Sequence, residues 1–124
     1  MIYGLGCDIT EISRIEQVFG TRDRILRIFT KKEADLFLGH PERIAGNFCA
    51  KEAFAKALGT GFRGFSLKDV EILRDELGRP YVTGDSLRRV LEKLGVQERL
   101  KVYISISHEK KFAMATCVLE RVKL

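Results

Sequence analysis

VYISISH (residues 102–108) and FAMATCVLE (residues 112–120) alternate apolar with polar or small residues on either side of the charged turn EKK (residues 109–111). A period of two is the mark of a strand with one buried face, because successive side chains point to opposite sides of a pleated backbone. The two runs therefore read as a β-hairpin whose inner face includes Val102, Ile104 and Ile106. Antiparallel strands close the chain, so the helices have to come from what precedes them.

Working back from the hairpin, residues 85–94 carry a helical pattern, and residues 69–74 and 79–83 read as two short strands joined by the glycine-containing turn DELG. The longest helix is expected over residues 42–58, after Pro41. Ile44, Ala45, Phe48, Cys49, Ala53 and Ala57 form its apolar stripe, and Gly59 terminates it. Thr30 followed by Glu33 is a capping-box pattern opening a helix through Leu38, and residues 20–27 form a basic turn or helical segment. Ile12, Ile15, Val18 and Phe19 sit at helical spacing in a short amphipathic helix over residues 11–19, with Arg14 off its apolar face. Residues 2–9 read as a strand ending at an acidic residue, and its two glycines suggest a close backbone approach or a nearby ligand. Helices first and antiparallel strands later give the α+β class, with helices packed on a small antiparallel sheet.

A chain of 124 residues fits one domain, 1–124, burying roughly two-thirds of the surface that its unfolded form exposes. With 45% apolar and 31% charged residues and two prolines, a disordered or fibrous protein is excluded. Lys and Arg outnumber Asp and Glu by 22 to 17, and the net charge of +5 favours anionic partners. Cys7, Cys49 and Cys117 each lie in apolar stretches without metal-ligand spacing, which predicts three buried thiols in a reducing cytoplasm. The apolar start is too short for a signal segment, and no run reaches the roughly 20 apolar residues of a membrane span. A cytoplasmic protein with no membrane segment is expected.

Taken one at a time, the chemically suggestive residues have plain explanations. Asp8 at the end of an apolar strand suits a hard cation, but with Glu11 three residues later it also fits a capping box. Glu52 and Lys56, four apart on a helix, share a face as any surface ion pair does. Gly59, Thr60 and Gly61 follow a helix C-terminus, whose dipole disfavours phosphate; an anion there needs backbone N–H groups and cations such as Lys56 and Arg63. His108 ends a strand beside a lysine-rich turn, and His40 precedes Pro41 in a loop.

The combination carries more than its parts. GLGCDITEISRI (residues 4–15), FCAKEAFAKALGTG (residues 48–61) and ISISHEKKFAMA (residues 104–115), in this order, resemble the holo-acyl-carrier-protein synthase family of 4'-phosphopantetheinyl transferases along essentially the whole chain. The resemblance implies a Mg2+-dependent transfer of 4'-phosphopantetheine from coenzyme A to a serine of an acyl carrier protein. It also implies a homotrimer with active sites between subunits. Asp8 and Glu52 correspond to the family's magnesium ligands, and Lys56 to a lysine approaching the coenzyme A phosphates. Gly59, Thr60 and Gly61 would pack near the nucleotide, and His108 would contact coenzyme A from an adjoining subunit. Arg14 on the first helix, with Arg22 and Arg24, would face the acidic carrier protein. Where many relatives carry arginine before the phenylalanine of the second segment, this chain has Asn47, which puts the detail of nucleotide binding in question.

Two rival readings remain at this level. A basic nucleic-acid-binding module would use the run Arg22, Arg24, Arg27, Lys31 and Lys32, but leaves Asp8 and Glu52 without a purpose. A metal-dependent hydrolase of coenzyme A or a nucleotide would keep the metal and change the acceptor.

Overall fold

The computed structural model describes residues 1–123. It is an α+β fold built on strands β1 (Ile2–Glu11), β2 (Ile72–Arg74), β3 (Pro80–Val82), β4 (Leu100–His108) and β5 (Phe112–Arg121). The helices are α1 (Ile12–Phe19), α2 (Arg22–Ile25), α3 (Lys31–Phe37), α4 (Pro41–Leu58) and α5 (Gly84–Leu94), with a 3-10 turn at Leu67–Asp69. The expected hairpin is present as β4 and β5, but the main sheet has the order β1-β5-β4, all antiparallel. The first strand thus pairs with the last, and the expected order of helices before strands is corrected: the chain starts inside the sheet that it later completes. β2 and β3 form a separate small hairpin.

The sheet buries Ala113, Ala115, Cys117 and Leu119 of β5 on one face, with Val102, Ile104 and Ile106 of β4 packed beside them. Helix α4 lies across that face. It is less a striped amphipathic helix than the centre of the molecule, with even Asn47 and Lys51 fully buried. Pro41 occupies its first turn, where a missing N–H costs nothing, and Gly59 ends it at φ 81°.

Two glycines set how closely β1 lies on α4. A Cβ at Gly4 would stand 1.8 Å from the Ala57 carbonyl oxygen, and one at Gly6 would stand 2.1 Å from that of Ala53. Inner-face residues recur every two positions along a strand, about 6.7 Å, and every four along a helix, about 6 Å. The two antiparallel steps therefore stay in phase: Gly4 meets Ala57, Gly6 meets Ala53, and the next inner position, Asp8, arrives beside the following turn of α4.

On its other side α4 is anchored by a buried polar network. Lys51 Nζ donates to Glu33 Oε1 at 2.8 Å and to the carbonyls of Ile28 and Leu67 at 2.9 Å each, over the Phe29 ring. Glu33 Oε2 accepts from Asn47 Nδ2 and the Ile72 N–H, and Asn47 Oδ1 accepts from Arg74. Glu33 also completes the capping box with Thr30, as the sequence suggested. Burial pushes Glu33 up and Lys51 down from their ordinary pKa values, and their mutual attraction opposes both shifts. Because every buried side-chain nitrogen and oxygen among the described residues has a hydrogen-bond partner, the pair is tolerable in the core; removing one partner of such a pair costs about 3–5 kcal/mol. Asn47 thus belongs to this core network and is fully buried.

Two smaller expectations are corrected. β1 continues to Glu11, so Asp8 lies inside the strand and caps nothing; Glu11 is the N-cap of α1 and makes no side-chain cap bond. Cys49 and Cys117 are buried, whereas Cys7 is exposed because it faces the side of the sheet away from α4.

The close approach predicts that Gly6→Ala destabilises the protein by about 3 kcal/mol in urea titration, the upper range for overpacking. Gly84→Ala, where an added Cβ meets nothing within 4 Å, is the control and should leave the midpoint nearly unchanged.

Candidate active site

Asp8 reaches α4 at the edge of a cleft of about 420 Å3 lined by Asp8, Arg14, Phe48, Glu52, Lys56 and the apolar face of α1. Three elements build it. β1 supplies Asp8 through the glycine contact, α4 supplies Glu52 and Lys56 one turn apart, and α1 supplies Arg14 beside Ile15 and Val18. Phe19 and Phe48, with ring centroids 5.9 Å apart, join α1 to α4 and close one wall.

Lys56 Nζ lies 3.2 Å from Asp8 Oδ1 and donates to the Cys7 carbonyl at 2.9 Å. Glu52 has no ion-pair partner among the described residues. Its partial burial, and after that the negative charge of Asp8, holds its carboxyl above the usual range, with Lys56 pulling the other way. Beneath them the Cys49 thiol is pushed up to about 12, by burial first and then by Asp8, and donates to the Ala113 carbonyl. It is an inert neighbour and not a nucleophile.

Asp8 and Glu52 bring two carboxylates to one cleft, and burial and the charge of Asp8 raise the proton affinity of Glu52. Hard oxygen donors of this kind suit Mg2+, which keeps several waters and takes one or two carboxylates together with substrate phosphate. No group of three or more His, Cys, Asp or Glu able to hold a metal occurs among the described residues. The donor set therefore fits a shared ion completed by substrate and water, and not a closed structural metal site.

The other expected site residues lie apart from this cleft. Gly59 and Gly61 both take positive φ, and their N–H groups are engaged with the Lys56 and Ala55 carbonyls, while Thr60 Oγ1 donates to the Gly61 carbonyl. Any anion held at this turn would depend on Lys56 and Arg63 more than on a backbone cradle. His108 is exposed at the end of β4, opposite Ala113 and two strands away from Thr10 of β1, and does not line the cleft. Of the three arginines, only Arg14 lines it: Arg22 pairs with Asp35 at 3.2 Å, and Arg24 donates to the Gln17 carbonyl. A larger groove, about 1020 Å3 between α5 and the end of β5, is lined by none of these residues and holds no paired carboxylates.

Sequence reasoning passed over Lys51, next to Glu52. Its signal was a cation set among Cys49, Ala50 and Ala53 that broke the apolar face of α4. Adjacent helical residues point about 100° apart, so Lys51 enters the core and Glu52 the cleft.

The 4'-phosphopantetheinyl transferase superfamily matches the chain over residues 4–117. The chain is 47% identical over 126 positions to a holo-[acyl-carrier-protein] synthase of Clostridium perfringens, with 97% of this chain and 95% of the relative covered. It is also 47% identical to the synthase of Clostridium beijerinckii, with 98% and 100% covered. The crystal structure of holo-[acyl-carrier-protein] synthase from Neisseria meningitidis superimposes with a TM-score of 0.81 at 40% identity, over 98% of this chain and 100% of that one. The Bacillus anthracis enzyme in complex with CoA (3',5'-ADP) gives 0.78 at 36% identity, over 98% and 99%.

Proposed function

Since the chain belongs to the 4'-phosphopantetheinyl transferase superfamily, we propose that its cleft carries out the reaction named by its relatives, with Asp8 and Glu52 as the metal ligands. The protein transfers the 4'-phosphopantetheine group of coenzyme A to a serine of apo acyl carrier protein and releases 3',5'-ADP. The observation that carries the site assignment is the convergence of Asp8 and the unpaired Glu52 beside Lys56 and Arg14.

The serine oxygen attacks the β-phosphorus, the bond to the α-phosphate's bridging oxygen breaks, and the serine proton passes to a base at the site. Transfer of this kind needs alignment and charge neutralisation more than covalent help. Mg2+, when bound, would supply positive charge at the pyrophosphate. Asp8 and Glu52 would hold it, Lys56 would add an ammonium at the departing phosphate, and the Phe19 and Phe48 wall would keep water from one side. Gly59, Thr60 and Gly61, at the end of the same helix, would pack near the nucleotide with Arg63 as a further cation.

The active form in this proposal is a homotrimer. Its support is the sheet face turned away from α4, where Leu5, Ile9, Tyr103, Phe112 and Met114 are all exposed. Contiguous apolar surface of this kind is a mark of association. A neighbouring subunit would bring His108 to coenzyme A. No helix among the described residues is long and apolar enough to cross a membrane, and the reaction belongs in the cytoplasm, with coenzyme A and the carrier protein. A nucleic-acid-binding module would leave the carboxylate pair without a role.

Asp8→Ala and Glu52→Gln should each lower kcat/KM for transfer by at least about 10²-fold, the scale of losing one transition-state electrostatic contact, with urea midpoints close to wild type. Wild-type turnover by folded Asp8→Ala would remove Asp8 from the site. Arg14→Glu should raise the apparent KM for carrier protein about tenfold while leaving that for coenzyme A nearly unchanged, and added salt should weaken the wild type in the same selective way. Unchanged carrier-protein kinetics at low salt would place Arg14 outside the interface.

A further inference from the structure

Lys56 stands on the oxygen that a metal would need. Its Nζ is 3.2 Å from Asp8 Oδ1 and is also held by the Cys7 carbonyl at 2.9 Å. The two partners differ in freedom. The Asp8 side chain is 18% exposed on a strand packed against α4, whereas the Lys56 side chain is 53% exposed in the last turn of that helix. A long, half-solvated lysine can change rotamer with its head in water, while the short aspartate cannot follow it.

The charges of the cleft point the same way. Asp8 and Glu52 contribute two negative charges, and Lys56 and Arg14 contribute two positive ones. A divalent cation entering alone leaves the cleft strongly positive and must compete with Lys56 for Asp8. A pyrophosphate diester entering alone adds two negative charges beside two carboxylates. Entering together, they restore neutrality, and the displaced ammonium finds an anion within the same cleft. Glu52, without an ion-pair partner among the described residues, imposes no such competition.

We infer that Lys56 is the exchangeable counter-ion of Asp8: it holds the carboxylate in the ligand-free enzyme and passes to the pyrophosphate when a divalent cation and coenzyme A enter. This rests on the reading of Asp8 and Glu52 as metal ligands and adds to it a coupling between the two ligands. Coupling is reciprocal, so coenzyme A tightens the cation by the same factor by which the cation tightens coenzyme A.

The test uses Mn2+ as probe, with free ion read by electron paramagnetic resonance, and coenzyme A without carrier protein so that no turnover occurs. Association of Mn2+ with coenzyme A in solution is measured separately and subtracted. Wild type should bind Mn2+ roughly tenfold more tightly with saturating coenzyme A than without it. Lys56→Met should bind Mn2+ alone roughly tenfold more tightly than wild type, because Asp8 has lost its competing cation, and its gain from coenzyme A should be roughly fivefold smaller. Lys56→Gln, which keeps a polar end without the charge, should behave in the same way, and thermal melting of both variants checks the fold. Mn2+ affinity that is unchanged or weaker in both variants would overturn the exchange while leaving the metal reading intact. Absence of Mn2+ binding by wild type even with coenzyme A would overturn the metal reading itself.

Discussion

The structure depends on the contact between the backbone of β1 and the small-residue face of α4. Gly4 and Gly6 admit no side chain against the Ala57 and Ala53 carbonyls, and that approach carries Asp8 to the turn of the helix that bears Glu52 and Lys56. Without it the carboxylates would belong to separate elements with no reason to meet. The same contact places β1 where β5 can pair with it on the other edge, from Ile2 opposite Glu120 to Glu11 opposite Phe112. One constraint therefore orders both the sheet and the site.

Helix α4 has to be held from behind for this geometry to be reproducible, and Lys51 does so. Its ammonium ties α4 to α3 through Glu33, to the segment after α2 through the Ile28 carbonyl and to the 3-10 turn through the Leu67 carbonyl. Three directional bonds to three segments fix rotation about the helix axis, which apolar packing against alanines specifies poorly. Lys51 and Glu52 thus divide the work of adjacent positions: one orients the helix and the other lines the cleft.

Much of this was legible in the sequence wherever the cause is local. The Thr30 and Glu33 capping box, the α4 stop at Gly59 and the alternating hairpin strands all depend on residues a few positions apart, and all are present. The pairing of β1 with β5 was not legible, because nothing in residues 2–11 records a partner more than a hundred positions away. That omission also produced the capping reading of Asp8, since without a partner strand the run looked finished at Ile9. Cys7 was misplaced for a related reason: in a strand with glycines on the inner face, the apolar outer residues imitate a core pattern. At the site, the Glu52 and Lys56 spacing was visible, but their joint relation to Asp8 came from the family likeness and not from residue chemistry. Arg22 and Arg24 belong to the same basic segment as Arg27, yet their bonds to Asp35 and Gln17 depend on how α2 folds against its neighbours.

The central claim, that this strand and helix contact assembles a phosphopantetheine-transferring site, is tested most directly by the mass of an apo acyl carrier protein after incubation with the enzyme, coenzyme A and Mg2+. The account predicts a single gain of about 340 Da, the mass of the cofactor-derived group, with equimolar 3',5'-ADP and no gain when the divalent cation is chelated. Consumption of coenzyme A with the carrier protein unchanged in mass would make the protein a hydrolase and contradict the account.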